Sequence, residues 1–461
     1  MATASRAPPF LWRCLLPDAA VTVRHLGAAG HGGGCGNAHP FTLQVPTGVG
    51  QTYCRVSVIE VSLTAMPSRA TSPRIPDRRS VRKTPESGVI AERTRRRRIA
   101  LVGGLHVGIE TMFKNVEKSI STNPDIELQP VPIASYRRDW IENMFFFLPA
   151  SMRGTLRYVV GTWPLFSTDI EAIWALLDIP LLPWSYTRNL RGRVALVYCT
   201  DSTPRQLRAF GSHYSYWGGR SDIKFRLREA AYSAYLRRAS AVHAWTDWAA
   251  RSLRSDYDVP ESRLHVLPPG VDMSYWRPPA PKREPALPWV LFVGGDFERK
   301  GGELLLDVYR ERLRGRCELH LVTRPGVVTP ESGVHVHAGL RPNEVSLLRL
   351  YQSCDILAIP TRADCFSMAG LEAMSSGLPV VTCPVGGVAE LFTGGREGYF
   401  VAPDDGHALA GALENLLDRP SLRTGMGAAG RELVARRYDA QVNTRRLIDI
   451  IDEVITRNRR T

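Results

Sequence analysis

The chain has 461 residues, of which 44% are hydrophobic and 23% charged, which is usual for a globular protein of two or three domains. Its longest apolar runs, such as MFFFLP at residues 144–149, are far too short to cross a bilayer, so we expect no integral membrane protein. The net charge is +14, but residues 1–98 hold 15 Lys and Arg against 5 Asp and Glu and account for +10. The rest of the chain is therefore only mildly basic, and we expect no nucleic-acid partner.

The first 97 residues show no sustained helix or strand period and end in the run RTRRRR. They predict a disordered basic extension, or a region translated from an incorrect start codon. An organelle-targeting peptide is an alternative, because such peptides are rich in Arg and poor in acidic residues. The eight cysteines form no CxxC pair and no zinc-binding spacing, which predicts reduced thiols in the cytoplasm.

From residue 98 onward, short apolar runs alternate with longer helical patterns, which is typical of parallel α/β sheets. Residues 98–275 form the first predicted unit, with the strands IALVGG, RYVVGT, VALVYCT and SAVHAW. Residues 285–435 form the second unit, with the strands WVLFVGG, CELHLVT, GVHVHAG, CDILAIP and LPVVTC. A proline-rich connection at residues 268–288 separates the two units. Residues 436–461 predict a last helix that packs back on the first unit.

The second unit opens with WVLFVGGDFERKGGELLLDVY, a strand, a glycine-containing turn and a helix that begins near Gly301. The turn places Arg299 and Lys300 beside the amino end of this helix, which suits a phosphate group. The segment is neither a Walker loop nor a GxGxxG motif. An exposed basic turn without a ligand is the alternative.

Two carboxylates occur eight positions apart in ADCFSMAGLEAMSSGLPVV. The pattern predicts that Asp364 lies in a loop after a strand and that Glu372 lies on the second turn of the following helix. Ligands of α/β sheets bind at the carboxyl ends of the strands, so both side chains are candidates for a binding site. In the alternative interpretation, Asp364 caps the loop and Glu372 is solvated.

Three segments in this order resemble retaining glycosyltransferases of family 4, which have the GT-B fold. They are LHVLPPGVDMSYWRP, VGGDFERKGG and ADCFSMAGLEAMSSGLPVVTCPVGGVAELFTGGREGYFVAPDD. The earlier segments GLHVGIETMFKNV and YCTDSTPRQL resemble a subgroup of these enzymes. The resemblance implies two Rossmann-like domains that face each other across a cleft, with the acceptor in the first domain and a nucleotide sugar in the second.

The resemblance also implies roles for individual residues. Glu372 would bind the ribose hydroxyls of the nucleotide sugar, and Asp364 would hold hydroxyls of the transferred sugar. Lys300 would contact the diphosphate. The backbone N–H groups that would assist Asp364 belong to Phe366, Ser367, Met368 and Ala369.

This chain departs from the family pattern at two positions. The family has Glu where this chain has Asp364, a side chain that is shorter by one methylene, so the identity of the sugar does not carry over. The family often has Arg where this chain has Gly295. We hypothesise that Arg299 takes the place of that missing arginine.

The first domain contributes further candidates under the same resemblance. Asp201 follows the strand VALVYCT and His106 follows IALVGG, and either could orient or deprotonate the acceptor hydroxyl. Gly103 and Gly104 could line the diphosphate from the opposite wall. The alternatives are a turn aspartate and a structural loop histidine.

The implied reaction transfers a glycosyl group with retention of configuration to a glycan, lipid-linked or small-molecule acceptor. Side-chain cations can stabilise the departing diphosphate, so no metal or other cofactor is required. The triplet DYD at residues 256–258 imitates a metal motif, but we expect no metal there. A binding protein without activity and a sugar-nucleotide epimerase are the alternative functions. The basic helical pattern at residues 221–240 leaves peripheral membrane contact open.

Overall fold

The computed structural model describes residues 96–105, 108–134, 140–148, 150–163, 165, 169–176, 194–214, 222–279, 286–326 and 331–460. The predicted extension covers residues 1–97, of which residues 1–95 lie outside the described residues, as does His106. Its last residue, Arg97, already belongs to the first strand.

A six-stranded parallel sheet forms the first domain, in the order β2-β1-β3-β4-β5-β6. Its strands are β1 Arg97–Leu105, β2 Ile126–Ala134, β3 Ala172–Leu176, β4 Ala195–Thr200, β5 Ala241–Ala244 and β6 Leu264–Val266. Its helices are α1 Ile109–Ile120, α2 Trp140–Met144, α3 Ala150–Thr162, α4 Pro204–Ala209, α5 Asp222–Arg238 and α6 Asp247–Ser255. A 3₁₀ turn, Gly211–Tyr214, follows α4.

The second domain holds another six-stranded parallel sheet, in the order β12-β11-β10-β7-β8-β9. Its strands are β7 Trp289–Val293, β8 Glu318–Thr323, β9 Val334–Ala338, β10 Ile356–Ile359, β11 Val380–Thr382 and β12 Gly398–Phe400. Its helices are α7 Gly302–Val308, α8 Val345–Ser353, α9 Met368–Ser375, α10 Gly406–Asp418 and α11 Pro420–Arg437, and α12 Ala440–Arg460 follows them. The strand order reverses between β7 and β10, which is where doubly wound sheets bind ligands.

The prediction of two parallel α/β units is confirmed, with one wrong element. RYVVGT was predicted as a strand, but it forms the last turns of α3, where the Thr162 hydroxyl donates to the carbonyl of Tyr158 over 2.6 Å. A short apolar run fits either a strand or a buried helix, and the residues from Ala150 onward continue the helix. The pattern also missed β2, β3, β6 and β12. The two prolines of β2 argue against a strand but are tolerated because β2 lies at the edge of the sheet.

The chain crosses between the domains at two adjacent places. Val271 bridges to Asp439, and a Cβ at Gly270 would lie 2.4 Å from the Cα of Ala440. The last helix, α12, then contacts α1, β3 and β4 of the first domain, where Arg459 pairs with Glu171 at 2.7 Å. The two crossings lie side by side because residue 270 has no side chain. No described helix is both long and apolar enough to cross a membrane.

Candidate functional site

The turn after β7 lies against the loop after β10, where the strand order of the second sheet reverses. Gly301, just before α7, has a φ of 76°, and a Cβ there would lie 2.0 Å from the backbone oxygen of Pro360. The backbone N–H of Arg362 donates to the carbonyl of Arg299 over 2.9 Å. The two segments can approach this closely only with glycine at 301, and the approach brings their side chains together.

Three charged side chains meet between these segments, and we call them the ion cluster. Lys300 forms an ion pair with Asp364, and a terminal nitrogen of Arg299 lies 3.8 Å from the other carboxylate oxygen. The exposed fractions are 15% for Lys300, 17% for Arg299 and 8% for Asp364. Charges held away from water interact strongly and are costly to leave unpaired. The structure thus brings together three residues that the sequence singled out.

Arg299 also links the two domains. One terminal nitrogen donates to the Tyr214 hydroxyl over 3.1 Å and to the Ala363 carbonyl over 2.6 Å. Its guanidinium carbon lies 4.9 Å from the centre of the Tyr214 ring, a cation–π distance. Its Nε donates to Asp296 over 3.2 Å. Arg299 is therefore held by the tyrosine of the first domain while it faces the ion cluster of the second.

Glu372 lies on the second turn of α9, as predicted, but it is buried rather than solvated. Burial raises the pKa of its carboxyl group from 4.5 to about 8, and the hydrogen bond that the Tyr351 hydroxyl donates to it over 2.9 Å opposes the rise. Burial raises the pKa because it disfavours the charged form, and its effect is the larger of the two. The side chain is thus mainly protonated at neutral pH.

The loop between the two carboxylates turns into α9 through a capped helix start. The Ser367 hydroxyl accepts the backbone N–H of Gly370 over 3.1 Å. The side chains of Phe366 and Met368 are buried, and the Phe366 ring meets Trp245 of the first domain edge-on, with 6.1 Å between ring centres. These two side chains serve packing. Only the backbone of this segment, which continues through Ala369, is suited to meet a ligand.

Asp201 directly follows β4 of the first domain, and its carboxylate accepts a hydrogen bond from the Ser202 hydroxyl over 2.9 Å. Burial raises the pKa of the Cys365 thiol, and the negative charge of Asp201 raises it further. Cys365 is the residue next to Asp364, and its Sγ lies 3.7 Å from the Tyr214 hydroxyl. Asp201 is therefore close enough to the loop that carries Asp364 for its charge to act on Cys365.

Gly103 and Gly104 lie buried near the carboxyl end of β1. A Cβ at Gly103 would lie 2.4 Å from the Phe113 ring. Close packing of α1 on the sheet therefore already accounts for glycine at 103. His106 lies outside the described residues, so the structure assigns it no place.

Glu390 of the second domain makes another contact with the first domain. Its carboxylate accepts the backbone N–H groups of Asp247 and Trp248, over 2.9 and 2.7 Å, at the start of α6. The Tyr438 hydroxyl donates to the Glu390 carbonyl over 2.9 Å. A negative side chain at a helix amino end is favourable, because the first N–H groups of a helix have no partner within it. Glu390 is a structural contact between the domains.

The DYD triplet makes local contacts in place of a metal motif. Asp256 accepts a hydrogen bond from Ser252 over 2.5 Å and lies 3.5 Å from Arg205, while Asp258 has a φ of 52°. Within the described part of the chain, one group of three His, Cys, Asp or Glu residues has a spacing that suits a metal, and it contains neither this triplet nor Asp364.

Sequence patterns missed two tyrosines of the site. Tyr214 comes from a 3₁₀ turn of the first domain and reaches Arg299, which lies 85 residues away along the chain. Tyr351 lies on α8 and is fully buried against Glu372. Neither carries a local signal, since a single aromatic residue in a helical pattern is typical of an ordinary core position.

Family models match both domains. Residues 171–275 match the model described as Glycosyltransferase Family 4, and residues 287–419 match the model described as Glycosyl transferases group 1. A D-inositol 3-phosphate glycosyltransferase of Nocardia farcinica is 29% identical over an alignment of 221 residues that covers 42% of this chain and 49% of the relative. The chain spans about half the length of the curated relatives it matches.

Solved structures share the architecture. A sucrose-phosphate synthase from Thermosynechococcus elongatus has a TM-score of 0.62 at 18% identity, covering 78% of this chain and all of that one. Anabaena HepE in complex with UDP-glucose has a TM-score of 0.55 at 15% identity, covering 77% of this chain and 99% of that one. The GT-B fold and the resemblance to family 4, both inferred from the motifs, are thereby confirmed.

Proposed function

We propose that this chain, whose two domains are those of a family 4 glycosyltransferase, moves a sugar from a nucleoside-diphosphate sugar to a glycan, lipid-linked or small-molecule acceptor with retention of configuration. One observation carries the proposal. The half-buried cations Arg299 and Lys300 and the buried carboxylate of Asp364 meet where the strand order of the second sheet reverses. A second buried carboxyl group follows eight residues later on α9. Cations can donate hydrogen bonds to the oxygens of a nucleoside diphosphate, and carboxylates can accept hydrogen bonds from the hydroxyls of its sugars.

The ion cluster can stabilise the departing diphosphate without a metal or another cofactor. As the bond between the sugar and the diphosphate breaks, negative charge grows on the diphosphate. In the proposal, Lys300 and Arg299 turn from Asp364 to the diphosphate oxygens when the donor binds. Asp364 then accepts hydrogen bonds from hydroxyls of the transferred sugar, and Glu372 binds the ribose.

The first domain supplies the acceptor side in this proposal. In this proposal Asp201 of the first domain orients the attacking hydroxyl, as a carboxylate can. His106 remains a second candidate for the same task. The UDP-glucose in Anabaena HepE and the inositol phosphate in the name of the Nocardia relative favour a small hydroxyl-rich substrate on each side.

A thermal-shift screen of nucleoside-diphosphate sugars tests donor binding. A donor present at about 100 times its dissociation constant should raise the unfolding free energy by roughly 2.7 kcal/mol. The responding donor is then incubated with candidate acceptors, and NMR of the product reports whether the anomeric configuration is retained. Binding without transfer or hydrolysis would instead indicate a binding protein, and no response to any uridine, guanosine or adenosine diphosphate sugar would refute the proposal.

Variants of the cations test the assigned roles. A charge-assisted hydrogen bond contributes about 1.5 to 3 kcal/mol, so Lys300→Ala should weaken donor binding roughly 10- to 100-fold. Arg299→Ala should do the same if Arg299 replaces the missing family arginine. Arg349→Ala, on the exposed side of α8, is the matched control. Full activity and unchanged donor affinity in Arg299→Ala would remove Arg299 from the site.

Peripheral membrane contact is a further part of the proposal. On α5, Ile223 and Leu227 are 73% and 68% exposed and lie one helical turn apart, beside the exposed Arg226. Phe146 and Phe147 are also strongly exposed. Apolar side chains next to basic ones suit the surface of an anionic bilayer.

Liposome flotation tests the membrane contact. The full chain should float with vesicles that contain anionic lipid, and the double variant Ile223→Ser/Leu227→Ser should float less. Equal flotation of the wild type and the variant would exclude this surface of α5 as a membrane contact. The same conclusion would follow if neither protein floated with vesicles that contain or lack anionic lipid.

A further inference from the structure

Four side chains that commonly bind metals share one face of two neighbouring strands. Glu318 and His320 alternate along β8, and His335 and His337 alternate along β9. The parallel register pairs His320 with His335. Alternate residues of a strand point to the same face, so all four side chains lie together. We call them the His/Glu cluster.

The distances within this cluster suit a small ion. Glu318 Oε2 lies 3.5 Å from His335 Nε2 and 3.7 Å from His320 Nε2, and one ligand atom from each of the three residues lies within 4.8 Å of the others. Zinc bonds to nitrogen and oxygen of about 2.0 to 2.2 Å in a tetrahedron place neighbouring ligand atoms roughly 3.3 to 3.6 Å apart. Two of the three separations are already close to that value.

The buried histidine of this cluster is held in a fixed orientation. His320 Nδ1 lies 3.0 Å from Nε2 of His337, and the Trp289 ring packs on the imidazole with 4.0 Å between ring centres. If Nδ1 of His320 carries the proton and donates it to His337, Nε2 keeps its lone pair on the side of Glu318. A hydrogen bond that sets the tautomer of a ligating histidine is a usual feature of metal sites.

Solvent can reach the cluster from one side. His335 is 47% exposed and Glu318 35%, whereas His320 is only 5% exposed. An ion can therefore enter past His335, and a water molecule can complete its coordination. Two imidazoles and one carboxylate form a donor set that zinc and its neighbours in the first transition row accept.

We propose that Glu318, His320 and His335 bind one divalent ion of the zinc class, with His337 as the positioning residue for His320. The three ligands lie toward the amino ends of β8 and β9, whereas the ion cluster follows the carboxyl ends of β7 and β10. The metal is therefore separate from the proposed transfer site. It joins the edge strand β9 to β8 and stabilises the outer part of the second domain.

Calorimetric titration of Zn²⁺ into the chelator-treated full chain tests this inference. His335→Ala should lose one equivalent of Zn²⁺, or bind it at least tenfold more weakly, and Glu318→Gln should weaken binding as well. His407→Ala, an exposed histidine on α10, is the matched control and should bind as the wild type does. Cysteines and histidines elsewhere in the chain bind the same amount of Zn²⁺ in every variant, so the differences between variants report the proposed site alone.

Two further measurements distinguish a built site from surface binding. Co²⁺ should give the visible absorption of a tetrahedral ion in the wild type and lose it in His335→Ala. His337→Ala should keep the ion but weaken its affinity 10- to 100-fold, as loss of a positioning hydrogen bond does. Equal Zn²⁺ binding in the wild type, His335→Ala and Glu318→Gln would overturn the proposal, as would the absence of a tetrahedral Co²⁺ spectrum.

Discussion

Replacing Glu372 by glutamine should change how stability depends on pH. Burial raises the pKa of the Glu372 carboxyl group from 4.5 to about 8 in the folded chain. Between those values the folded protein holds a proton that the unfolded chain has released. Stability therefore falls as pH rises through this window, whereas a glutamine stays neutral and can still accept the Tyr351 hydrogen bond.

The size of the effect follows from the two pKa values. The unfolding free energy of the wild type should fall by about 1.4 kcal/mol per pH unit within the window. Integration from pH 5 to pH 8 gives about 3.5 kcal/mol. We therefore expect Glu372→Gln to gain that much on the wild type over this range. Above pH 8, where the folded protein also ionises, the difference should level off.

Urea unfolding at pH 5, 6, 7 and 8 measures this difference. Glu303→Gln makes the same chemical change on an exposed side chain of α7 and should keep the wild-type pH profile. If the wild type and Glu372→Gln give parallel profiles, Glu372 is already ionised in the folded chain. That result would remove the argument for a neutral carboxyl group in the site.

Three other substitutions test single contacts. Gly301→Ala places a Cβ 2.0 Å from a backbone oxygen at a φ of 76°, so it should destabilise the protein by more than about 1 kcal/mol in urea unfolding. Gly411→Ala, in open space on α10, is the control and should stabilise the protein by roughly 0.5 to 1 kcal/mol. Glu390→Ala leaves the Thr246 cap of α6 in place but removes the carboxylate that accepts two further N–H groups there, and it should cost about 0.5 to 2 kcal/mol in the same assay. No loss would mean that water replaces the carboxylate. Tyr214→Phe keeps the ring over Arg299 but removes the hydroxyl, so it should tighten diphosphate binding by up to about tenfold in calorimetry; weaker binding would show that the hydroxyl positions the arginine for the ligand.

The repeating pattern of the chain was enough to predict most of the fold. Strands that are buried on both faces, such as β4 and β10, leave a clear apolar signal in the sequence. The pattern failed at α3, where a short apolar run fits both structures, and at β2, where prolines are tolerated only at an edge. It also did not identify β3 or the three-residue strands β6 and β12. Edge position is a property of the whole sheet, so no local pattern contains it.

The candidate site was predictable to the extent that it is local. A local motif predicts the turn, loop or helix on which each of these residues lies: Arg299, Lys300, Asp364 and Glu372. The prediction treated Glu372 as a solvated side chain or a ribose ligand and gave no reason to expect its burial. Burial depends on α8, which brings Tyr351 to Glu372 from 21 residues away. The electrostatics of the site thus came from packing rather than from the motif.

The protonation of Glu372 limits the negative charge of the site. Within the cluster, Lys300 and Arg299 face one buried carboxylate, that of Asp364. Asp296 also reaches Arg299, but it is 45% exposed, so water screens its charge. A protonated Glu372 adds no negative charge and can both donate and accept hydrogen bonds. Asp201 of the first domain, whose charge acts on Cys365 beside Asp364, balances the second cation, so the site carries no net negative charge only while Glu372 is protonated. The negative charge of a bound diphosphate further favours the protonated form of Glu372.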